Sequence, residues 1–334
     1  MTKEKISIIG AGSWGTTLAI ILSSRGIDID LCSVFPEHNL AMRRQRKNRL
    51  FLKTAKFPSS LRISNSLQEA LSNEIIIIAI PAKYIYSVVK TIKSFKLNLK
   101  GRILVSVSKG IESKSFKRVS QILKQEFKGI KIAVLSGPNI ASEVLKGVPS
   151  AAVLACKDKR LGKRLQVLFN SEKFRVYLHE DIPGVEIGGA LKNVIALSCG
   201  ISDGLGFGVN TKAALVTRGL AEITRLGVRL GAKRSTFWGI SGLGDLTTTC
   251  FSSVSRNRSV GENIGKGRKI KDILKSMNMV AEGVETVKSA FKLSKKLKVD
   301  MPITREVYLV IYENKSPRRA VADLMCRPLK EEIG

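Results

Sequence analysis

Hydrophobic residues in the first half of the chain are grouped into short runs rich in β-branched side chains. The runs that predict strands are residues 6–9, 29–32, 75–80, 103–107, 132–135 and 152–154. Helical patterns lie between most of them, for example over residues 16–24 and 116–127. Strands that alternate with helices form mainly parallel sheets that are covered on both faces. This half is therefore predicted to be a doubly wound α/β domain.

The pattern changes near Asp181, where strand signals become rare. The chain is predicted from there on to form helices joined by glycine-rich turns. The main predicted helices are residues 181–200, 212–230, 270–275, 284–297 and 303–312. A length of 334 residues fits two domains. The predicted architecture is a Rossmann-type doubly wound sheet domain over residues 1–180, followed by a mostly α-helical domain over residues 181–334.

A glycine-rich motif directly follows the first predicted strand. Gly10, Gly12 and Gly15 have the GxGxxG spacing and precede a predicted helix, which is the context of a dinucleotide-binding site. Gly10 permits a tight turn, Gly12 lets the backbone approach a pyrophosphate, and Gly15 lets helix and strand pack closely. The helix N-terminus then offers N–H groups and a partial positive charge to the phosphates. The motif predicts a bound NAD or NADP.

The end of the second predicted strand does not choose between NAD and NADP. NAD sites often carry Asp or Glu at this point, and NADP sites often carry Arg. This chain continues from Cys32 with Ser-Val-Phe-Pro instead. Phe35 can pack against adenine, Glu37 can reach a ribose hydroxyl, and Arg43 or Arg44 can reach a 2′-phosphate. The cofactor preference stays open, with a slight lean to NADH.

Hydride transfer to a carbonyl needs a proton donor, and histidines are scarce. Only His38 and His179 occur, both in polar, loop-like surroundings that predict surface positions. Lys192 lies in an apolar predicted helix, where desolvation favours a neutral amine that can exchange a proton. The alternative is a lysine that buries its aliphatic chain while its ammonium reaches water. Pattern alone does not separate these two interpretations of Lys192.

Two further segments carry polar residues suited to ligand binding. Lys109 follows a predicted strand, and ligands of open parallel sheets bind at the carboxyl ends of strands. The second segment, residues 242–258, is rich in small and hydroxyl side chains. Asp245 and the threonines after it can bind substrate hydroxyls, and Arg256 can hold a phosphate through its guanidinium fork. A solvated position is the alternative for Arg256 and Arg258, and we expect it for one of the two.

Together, these motifs resemble the NAD(P)-dependent glycerol-3-phosphate dehydrogenase family over nearly the whole chain. The matching segments, in family order, are residues 10–15, 109–110, 136–144, 189–193, 242–250, 255–258 and 281–283. The resemblance implies reversible hydride transfer between NAD(P)H and dihydroxyacetone phosphate, which gives sn-glycerol 3-phosphate for glycerophospholipid synthesis. It also implies a cytoplasmic homodimer.

The resemblance implies roles for individual residues. Lys192 matches the general acid/base at the substrate C2 oxygen, with Lys109 and Asp245 as its catalytic neighbours. The implied substrate-binding residues are Lys109, Gly137, Asn139, Lys192, Asn193, Asp245, Thr249, Ser255, Arg256 and Asn257. The implied cofactor-binding residues are Gly10, Gly12, Ser13, Trp14, Gly15, Phe35, Lys109, Ala141, Arg256, Val280 and Glu282. The chain departs from many members at Asn139, where they carry Ser or Thr, and at residues 33–35, which lack the basic residues of NADP-preferring members.

The composition adds a net charge of +30, from 57 Lys and Arg against 27 Asp and Glu. This charge can attract phosphorylated small molecules, nucleic acid or an anionic membrane surface, although a lysine-rich solvated surface is its simplest interpretation. We expect no nucleic-acid partner and no membrane span, with weak association with anionic surfaces as an alternative. The five scattered cysteines predict neither disulfides nor a metal site.

Two other functions compete with this interpretation. A two-domain dehydrogenase of the 2-hydroxyacid or 6-phosphogluconate type shares the glycine motif and can share a helical second domain. A nucleotide-sensing protein would use the positive charge to bind nucleic acid. The order of Lys192, Asn193, Asp245 and Arg256 argues against the first alternative, and the presence of both Lys192 and Asp245 favours catalysis over the second.

Overall fold

Isoleucine-rich strands form the centre of the first part of the chain. The computed structural model describes residues 4–277, 281–329 and 331–332, and the chain divides into two units, Met1–Glu186 and Ile187–Gly334. The strand Ile75–Ile78 is isoleucine at every position, and all four side chains are buried. A strand that is apolar on both faces needs cover on both faces of its sheet. Helices of the first unit provide that cover.

The strands of the first unit pair almost entirely in parallel. They are β1 (Lys5–Ile9), β2 (Asp28–Cys32), β3 (Lys47–Asn48), β4 (Leu52–Lys56), β5 (Arg62–Ile63), β6 (Ile75–Ile78), β7 (Ile103–Ser106), β8 (Lys131–Ser136), β9 (Ser150–Ala155) and β10 (Phe174–His179). Eight of them form one sheet in the order β10-β9-β8-β7-β6-β1-β2-β5, and β3 and β4 form a separate antiparallel hairpin. Within the large sheet only the pair β8 and β9 is antiparallel. The doubly wound fold predicted from the sequence is confirmed.

Seven α-helices lie entirely within the described residues of the first unit. They are α1 (Ser13–Ser23), α2 (Pro36–Gln45), α3 (Leu67–Ala70), α4 (Ile85–Ser94), α5 (Val119–Glu126), α6 (Ala141–Leu145) and α7 (Lys159–Phe169). Every strand predicted from the sequence is present. The sequence did not predict the edge strand β10, because its buried residues alternate with exposed residues such as Arg175 and Tyr177. That alternation is typical of an edge strand and breaks up the apolar run.

From Ile182 onwards, the described residues contain helices and no strands. The helices are α8 (Ile182–Gly204), α9 (Val209–Arg229), α10 (Asp245–Phe251), α11 (Arg256–Gly265), α12 (Ile270–Lys275), α13 (Glu282–Leu297), α14 (Pro302–Tyr312) and α15 (Pro317–Met325). A π-helical turn, Ile240–Gly244, leads into α10. The sequence did not predict α10, α11 or α15. Two arginines in the first turn of α11 and of α15 interrupt the apolar pattern there.

Helix α8 is the central element of this second set. By length and composition it is apolar enough to cross a membrane, yet the whole of its most apolar window is buried inside the protein. A core helix of a folded domain meets the same criterion. Helices α9 and α11 are among the elements that contact α8, at Ile195 and at Leu197.

Glycines bring α8 and α11 into backbone contact. Gly200 and Gly204 of α8 lie against α11, whose Gly261 and Gly265 lie against α8. A Cβ atom at Gly261 would be only 2.1 Å from the carbonyl oxygen of Leu197. Real Cβ atoms do not approach a backbone oxygen so closely, so each of these positions needs glycine. The crossing holds the two helices at a separation that larger side chains would prevent.

We expect the Gly261→Ala substitution to destabilise the protein, because overfilling a packed contact costs about 1–3 kcal/mol. Gly162→Ala in α7 is the matched control, since a Cβ atom there would meet its neighbours at 3.5 Å, an ordinary contact. Alanine favours a helix interior by up to about 1 kcal/mol over glycine. The control should therefore be neutral or stabilised. Urea denaturation of both variants measures the difference, and equal stabilities would show that the crossing can expand without cost.

Candidate active site

A buried lysine and a buried aspartate form the polar centre of the second unit. Lys192 lies on α8 and is 7% exposed, and Asp245 begins α10 and is 1% exposed. The Lys192 Nζ atom donates hydrogen bonds to Asp245 Oδ1 and, at 2.6 Å, to Thr249 Oγ1. Thr249 donates in turn to the backbone carbonyl of Asp245 at 2.7 Å. This burial excludes the alternative in which the ammonium of Lys192 extends into bulk water.

The local sequence explains how Asp245 reaches α8. The turn before α10 passes close to α8 at Gly188, where a Cβ atom would lie 2.8 Å from the carbonyl oxygen of Ser241. Gly242 in the same turn lies against Phe237, with only 2.2 Å between its would-be Cβ and a carbonyl oxygen. Small residues on both sides therefore bring the turn next to α8. The carboxylate at the start of α10 is then within reach of the lysine.

A pair of asparagines connects three helices next to this centre. Asn257 of α11 donates from Nδ2 to Asn193 Oδ1 at 2.9 Å, and its own Oδ1 accepts the backbone N–H of Gly283 at 3.0 Å. Asn193 directly follows Lys192 on α8, and Gly283 lies in the first turn of α13. These bonds fix the N-terminus of α11, where Arg256 is exposed, and that of α13, where Glu282 is the first residue.

The two arginines of α11 have different surroundings. Arg258 is partly buried and donates from Nε to Asp203 Oδ2 at 2.6 Å, and the same carboxylate binds Lys212 at 2.7 Å. Its surroundings are therefore an ion-pair cluster rather than the solvated face considered from the sequence. Arg256 has an exposed side chain at the first position of the helix. Ser255 acts as the N-cap of α11, because its hydroxyl accepts the backbone N–H of Arg258.

The cysteine beside Thr249 is an uncharged part of this region. Cys250 is fully buried in α10. A hydrogen bond with Cys199, and then burial, raise the pKa of its thiol well above the ordinary value. A thiol with a raised pKa is a poor nucleophile. The Cys250 thiol is therefore not a nucleophile of this group of side chains.

In the first unit, the glycine motif forms a tight turn that leaves open space at its middle glycine. Gly10 has a φ of 113°, and a Cβ atom there would lie 2.3 Å from the carbonyl oxygen of Ala79. A Cβ atom on Gly15 would lie 2.0 Å from the carbonyl oxygen of Gly10. At Gly12 a Cβ atom would meet nothing within 4 Å, and the first turn of α1 contains no acidic residue. Open space over a helix N-terminus without negative charge fits a pyrophosphate.

Neighbouring predicted residues surround this motif. Ser13 donates from Oγ to the carbonyl of Phe51 at 2.9 Å, and Trp14 packs against an aromatic ring of β10. Ala141 begins α6, and its carbonyl accepts a hydrogen bond from Thr17 of α1 at 3.4 Å. The structure thus brings Ser13, Trp14 and Ala141 together around α1. Val280 lies outside the described residues.

Three predicted substrate residues lie at the ends of neighbouring strands. Lys109 follows β7, and its Nζ donates to the carbonyl of Gly137, which follows β8, at 3.0 Å. Asn139 donates from Nδ2 to the carbonyl of Ala151 at 3.0 Å. Because β7 and β8 are parallel, their carboxyl ends meet at one edge of the sheet. Lys109, Gly137 and Asn139 are therefore grouped where ligands of such sheets bind.

The residues after β2 match no simple cofactor rule. Phe35 is the N-cap of α2 and is 60% exposed, so its ring is accessible. Arg43 donates to Asn65 Oδ1, while Arg44 is exposed. The surface position predicted for His38 is wrong. This residue belongs to α2, and its side chain is buried. Its sequence neighbours are polar, and burial arises from contacts with residues distant in sequence that a local pattern does not reveal.

Comparisons with known proteins agree across the chain. The family models described as NAD-dependent glycerol-3-phosphate dehydrogenase N-terminus and C-terminus match residues 5–162 and 181–322. A glycerol-3-phosphate dehydrogenase [NAD(P)+] of Citrifermentans bemidjiense is 48% identical, and one of Pelodictyon phaeoclathratiforme is 46% identical, each match covering 98% of this chain and 99% of the relative. The crystal structure of glycerol-3-phosphate dehydrogenase from Coxiella burnetii superposes with a TM-score of 0.93 at 34% identity, covering 97% of this chain and 99% of that one.

Proposed function

This chain belongs to the NAD-dependent glycerol-3-phosphate dehydrogenase family, and we propose that it transfers hydride reversibly between NAD(P)H and dihydroxyacetone phosphate, with sn-glycerol 3-phosphate as the reduced product. The buried group formed by Lys192, Asp245 and Thr249 is the observation that carries the proposal. An ammonium buried among hydrogen-bond acceptors is a proton donor with a fixed direction. It suits the reduction of a carbonyl in a chain whose two histidines have other contacts.

Lys192 supplies the proton in the reductive direction. A bound nicotinamide cofactor would supply the hydride to C2 of the substrate. The ammonium of Lys192 gives its proton to the C2 oxygen. Before that transfer is complete, the same positive charge stabilises the negative charge that develops on the oxygen. Asp245 holds the ammonium in one orientation, and Thr249 limits its movement. In the oxidative direction the neutral amine accepts the proton back. The family resemblance adds Lys109 to this catalytic set.

Substrate phosphate binding is assigned to the start of α11. Arg256 provides a guanidinium that matches a phosphate with two parallel hydrogen bonds, and its exposed position leaves it accessible. Asn257 and Asn193 hold this end of the helix beside Lys192. Gly137, Asn139 and Ser255 complete the substrate-binding set that the family resemblance implies.

The first unit binds the dinucleotide in this proposal. Gly10, Gly12 and Gly15 surround the pyrophosphate position with backbone, and Ser13 and Trp14 begin the helix whose N-terminus faces it. Phe35 serves the adenine end, while Ala141 and Glu282 belong to the cofactor set by family resemblance.

The cellular setting follows from family membership alone. We assign the chain to a cytoplasmic homodimer that supplies glycerol 3-phosphate for glycerophospholipid synthesis. The net charge of +30 favours phosphorylated substrates and dinucleotides in solution, since both are anionic.

We expect Lys192→Met to lower kcat for dihydroxyacetone phosphate reduction by about 10²- to 10⁴-fold, because a general acid is lost. Lys315→Met is the matched control, since it also removes a partly buried ion pair, with Glu306 and Asp323. The control should retain turnover within about threefold of the wild type. NADH binding and thermal unfolding are measured for both variants. A folded Lys192→Met enzyme within about tenfold of the wild type, or roughly 1.4 kcal/mol of barrier, would place the proton donor elsewhere.

Arg256→Ala should raise the KM for dihydroxyacetone phosphate by about 10- to 100-fold. This is the loss of affinity expected when charge-assisted hydrogen bonds to a phosphate are removed. The reduction of dihydroxyacetone, which lacks the phosphate, should change little. Arg229→Ala removes an exposed arginine at the end of α9 and should affect neither substrate. If Arg256→Ala impairs both substrates equally, the phosphate is bound by another residue.

NADH and NADPH should differ by less than about 10²-fold in kcat/KM, with a slight preference for NADH. The three residues directly after β2, Ser33, Val34 and Phe35, include no acid for the ribose hydroxyls and no arginine for a 2′-phosphate, and Ser33 already bonds with Phe35 and His38. Steady-state kinetics with each cofactor at a fixed substrate concentration give the ratio. A larger NADPH preference, beyond about 2.7 kcal/mol, would mean that a more distant base such as Arg43 or Arg44 reaches the 2′-phosphate.

A further inference from the structure

His38 is a buried polar side chain that the proposed reaction does not use. It lies in α2 and is 8% exposed. Both ring nitrogens have buried partners, with Nδ1 3.1 Å from Ser33 Oγ and Nε2 3.2 Å from Asn48 Oδ1. Ser33 directly follows β2, and Asn48 belongs to the β3–β4 hairpin. The imidazole therefore joins two segments that are separated in sequence and both lie near the glycine motif.

The contacts of Asn48 determine the direction of this hydrogen-bond chain. Its Nδ2 donates to the carbonyl of Ala11 and to Thr16 Oγ1, both at 2.8 Å. A carbonyl can only accept, so the amide has one orientation, and Asn48 Oδ1 must face His38 as an acceptor. The Nε2 atom of His38 therefore carries a hydrogen and donates it to Asn48 Oδ1. The Nδ1 atom shares a hydrogen bond with the hydroxyl of Ser33.

The chain of bonds closes around the start of α1. The backbone N–H of Phe51 donates to Asn48 Oδ1 at 3.2 Å, and the carbonyl of Phe51 accepts from Ser13 Oγ at 2.9 Å. Asn48 thus holds the motif at Ala11 and Thr16, while the tip of the hairpin holds Ser13. The side chain of His38 connects Asn48, and through it the glycine motif, to Ser33 at the end of β2.

We propose that His38 is a positioning residue for the dinucleotide, which holds Asn48 and thereby keeps the glycine motif in its binding geometry. This inference rests on the proposed function, which supplies NAD(P)H as the ligand. A loop that is ordered before binding loses less conformational freedom when the ligand arrives. Without His38, a smaller fraction of the free protein has the competent geometry, and the apparent Kd rises by that factor. In this proposal His38 acts only through Asn48 and the glycine motif, so the complex that does form is expected to react with the wild-type kcat.

The test measures the Kd of NADH by fluorescence and the kcat at saturating NADH. His38→Ala should raise the Kd by about tenfold or more, as expected for the loss of buried hydrogen bonds, and should leave kcat within about twofold. His179→Ala is the matched control, because it removes the other histidine, whose Nδ1 accepts the backbone N–H of Asp181 at 2.9 Å. The control should bind NADH like the wild type.

Conservative variants separate positioning from simple loss of stability. In His38→Gln, an amide N–H can replace the Nε2–H donor to Asn48, so most of the affinity should return. In His38→Asn, the shorter side chain reaches only Ser33, so the affinity should stay low. If His38→Ala does not fold, the comparison of His38→Gln with His38→Asn still tests the proposal. The proposal is overturned if His38→Gln binds NADH no better than His38→Asn, or if a folded His38→Ala variant loses thermal stability but keeps the wild-type Kd.

The same measurements distinguish this inference from the proposed function. A wild-type protein that binds NADH but does not reduce dihydroxyacetone phosphate would contradict the function, while the Kd comparison would still decide the role of His38. A wild-type protein that does not bind NADH would overturn both proposals.

Discussion

Helix α8 allows other backbones to approach within contact distance because glycine replaces a side chain at each point of approach. Gly200 and Gly204 meet α11, and Gly188 meets the turn before α10. These contacts leave little freedom in where α10 and α11 begin. Both helices begin with a residue of the proposed site, Asp245 in α10 and Arg256 in α11. The positions of Asp245 and Arg256 thus depend on glycines of α8, whose lack of side chains lets α10 and α11 approach.

Close packing also explains how a charge is maintained inside an apolar helix. Lys192 would be destabilising alone, because moving an ammonium out of water costs several kcal/mol after relaxation. Asp245 and Thr249 offset much of that cost through hydrogen bonds. Such a pair is a weak source of stability, but it fixes the direction of the ammonium, and that direction is what a proton donor requires.

The sequence predicted the structure correctly where a short segment has a pattern that only one kind of local structure explains. The all-isoleucine strand β6 and the glycines after β1 each have one simple structural explanation, and the structure agrees with both. Lys192 stood out because a charge interrupts an apolar helix, but its partners, Asp245 and Thr249, lie more than fifty residues further along the chain. Their contact depends on the turn packed against α8, which no local pattern encodes.

Features whose signal is spread over distant residues were missed. Helix α11 begins with Arg-Asn-Arg-Ser and contains two glycines, so its apolar side is too sparse for a periodic pattern. The buried position of His38 depends on Asn48, ten residues away, and on the β3–β4 hairpin to which Asn48 belongs. Local hydropathy cannot reveal a polar side chain that is buried because another polar side chain forms a hydrogen bond with it.

The single antiparallel pair in the large sheet has a consequence for the order of assembly. Ser136 of β8 pairs with Val153 of β9, whereas Ile6 of β1 must find Ile75 of β6. The first pairing closes a much shorter loop and therefore loses less chain entropy. Contacts between residues close in sequence also form faster than distant ones. We therefore expect the reversed pair to form before β1 pairs with β6, which is the pairing in this sheet that joins the most distant residues.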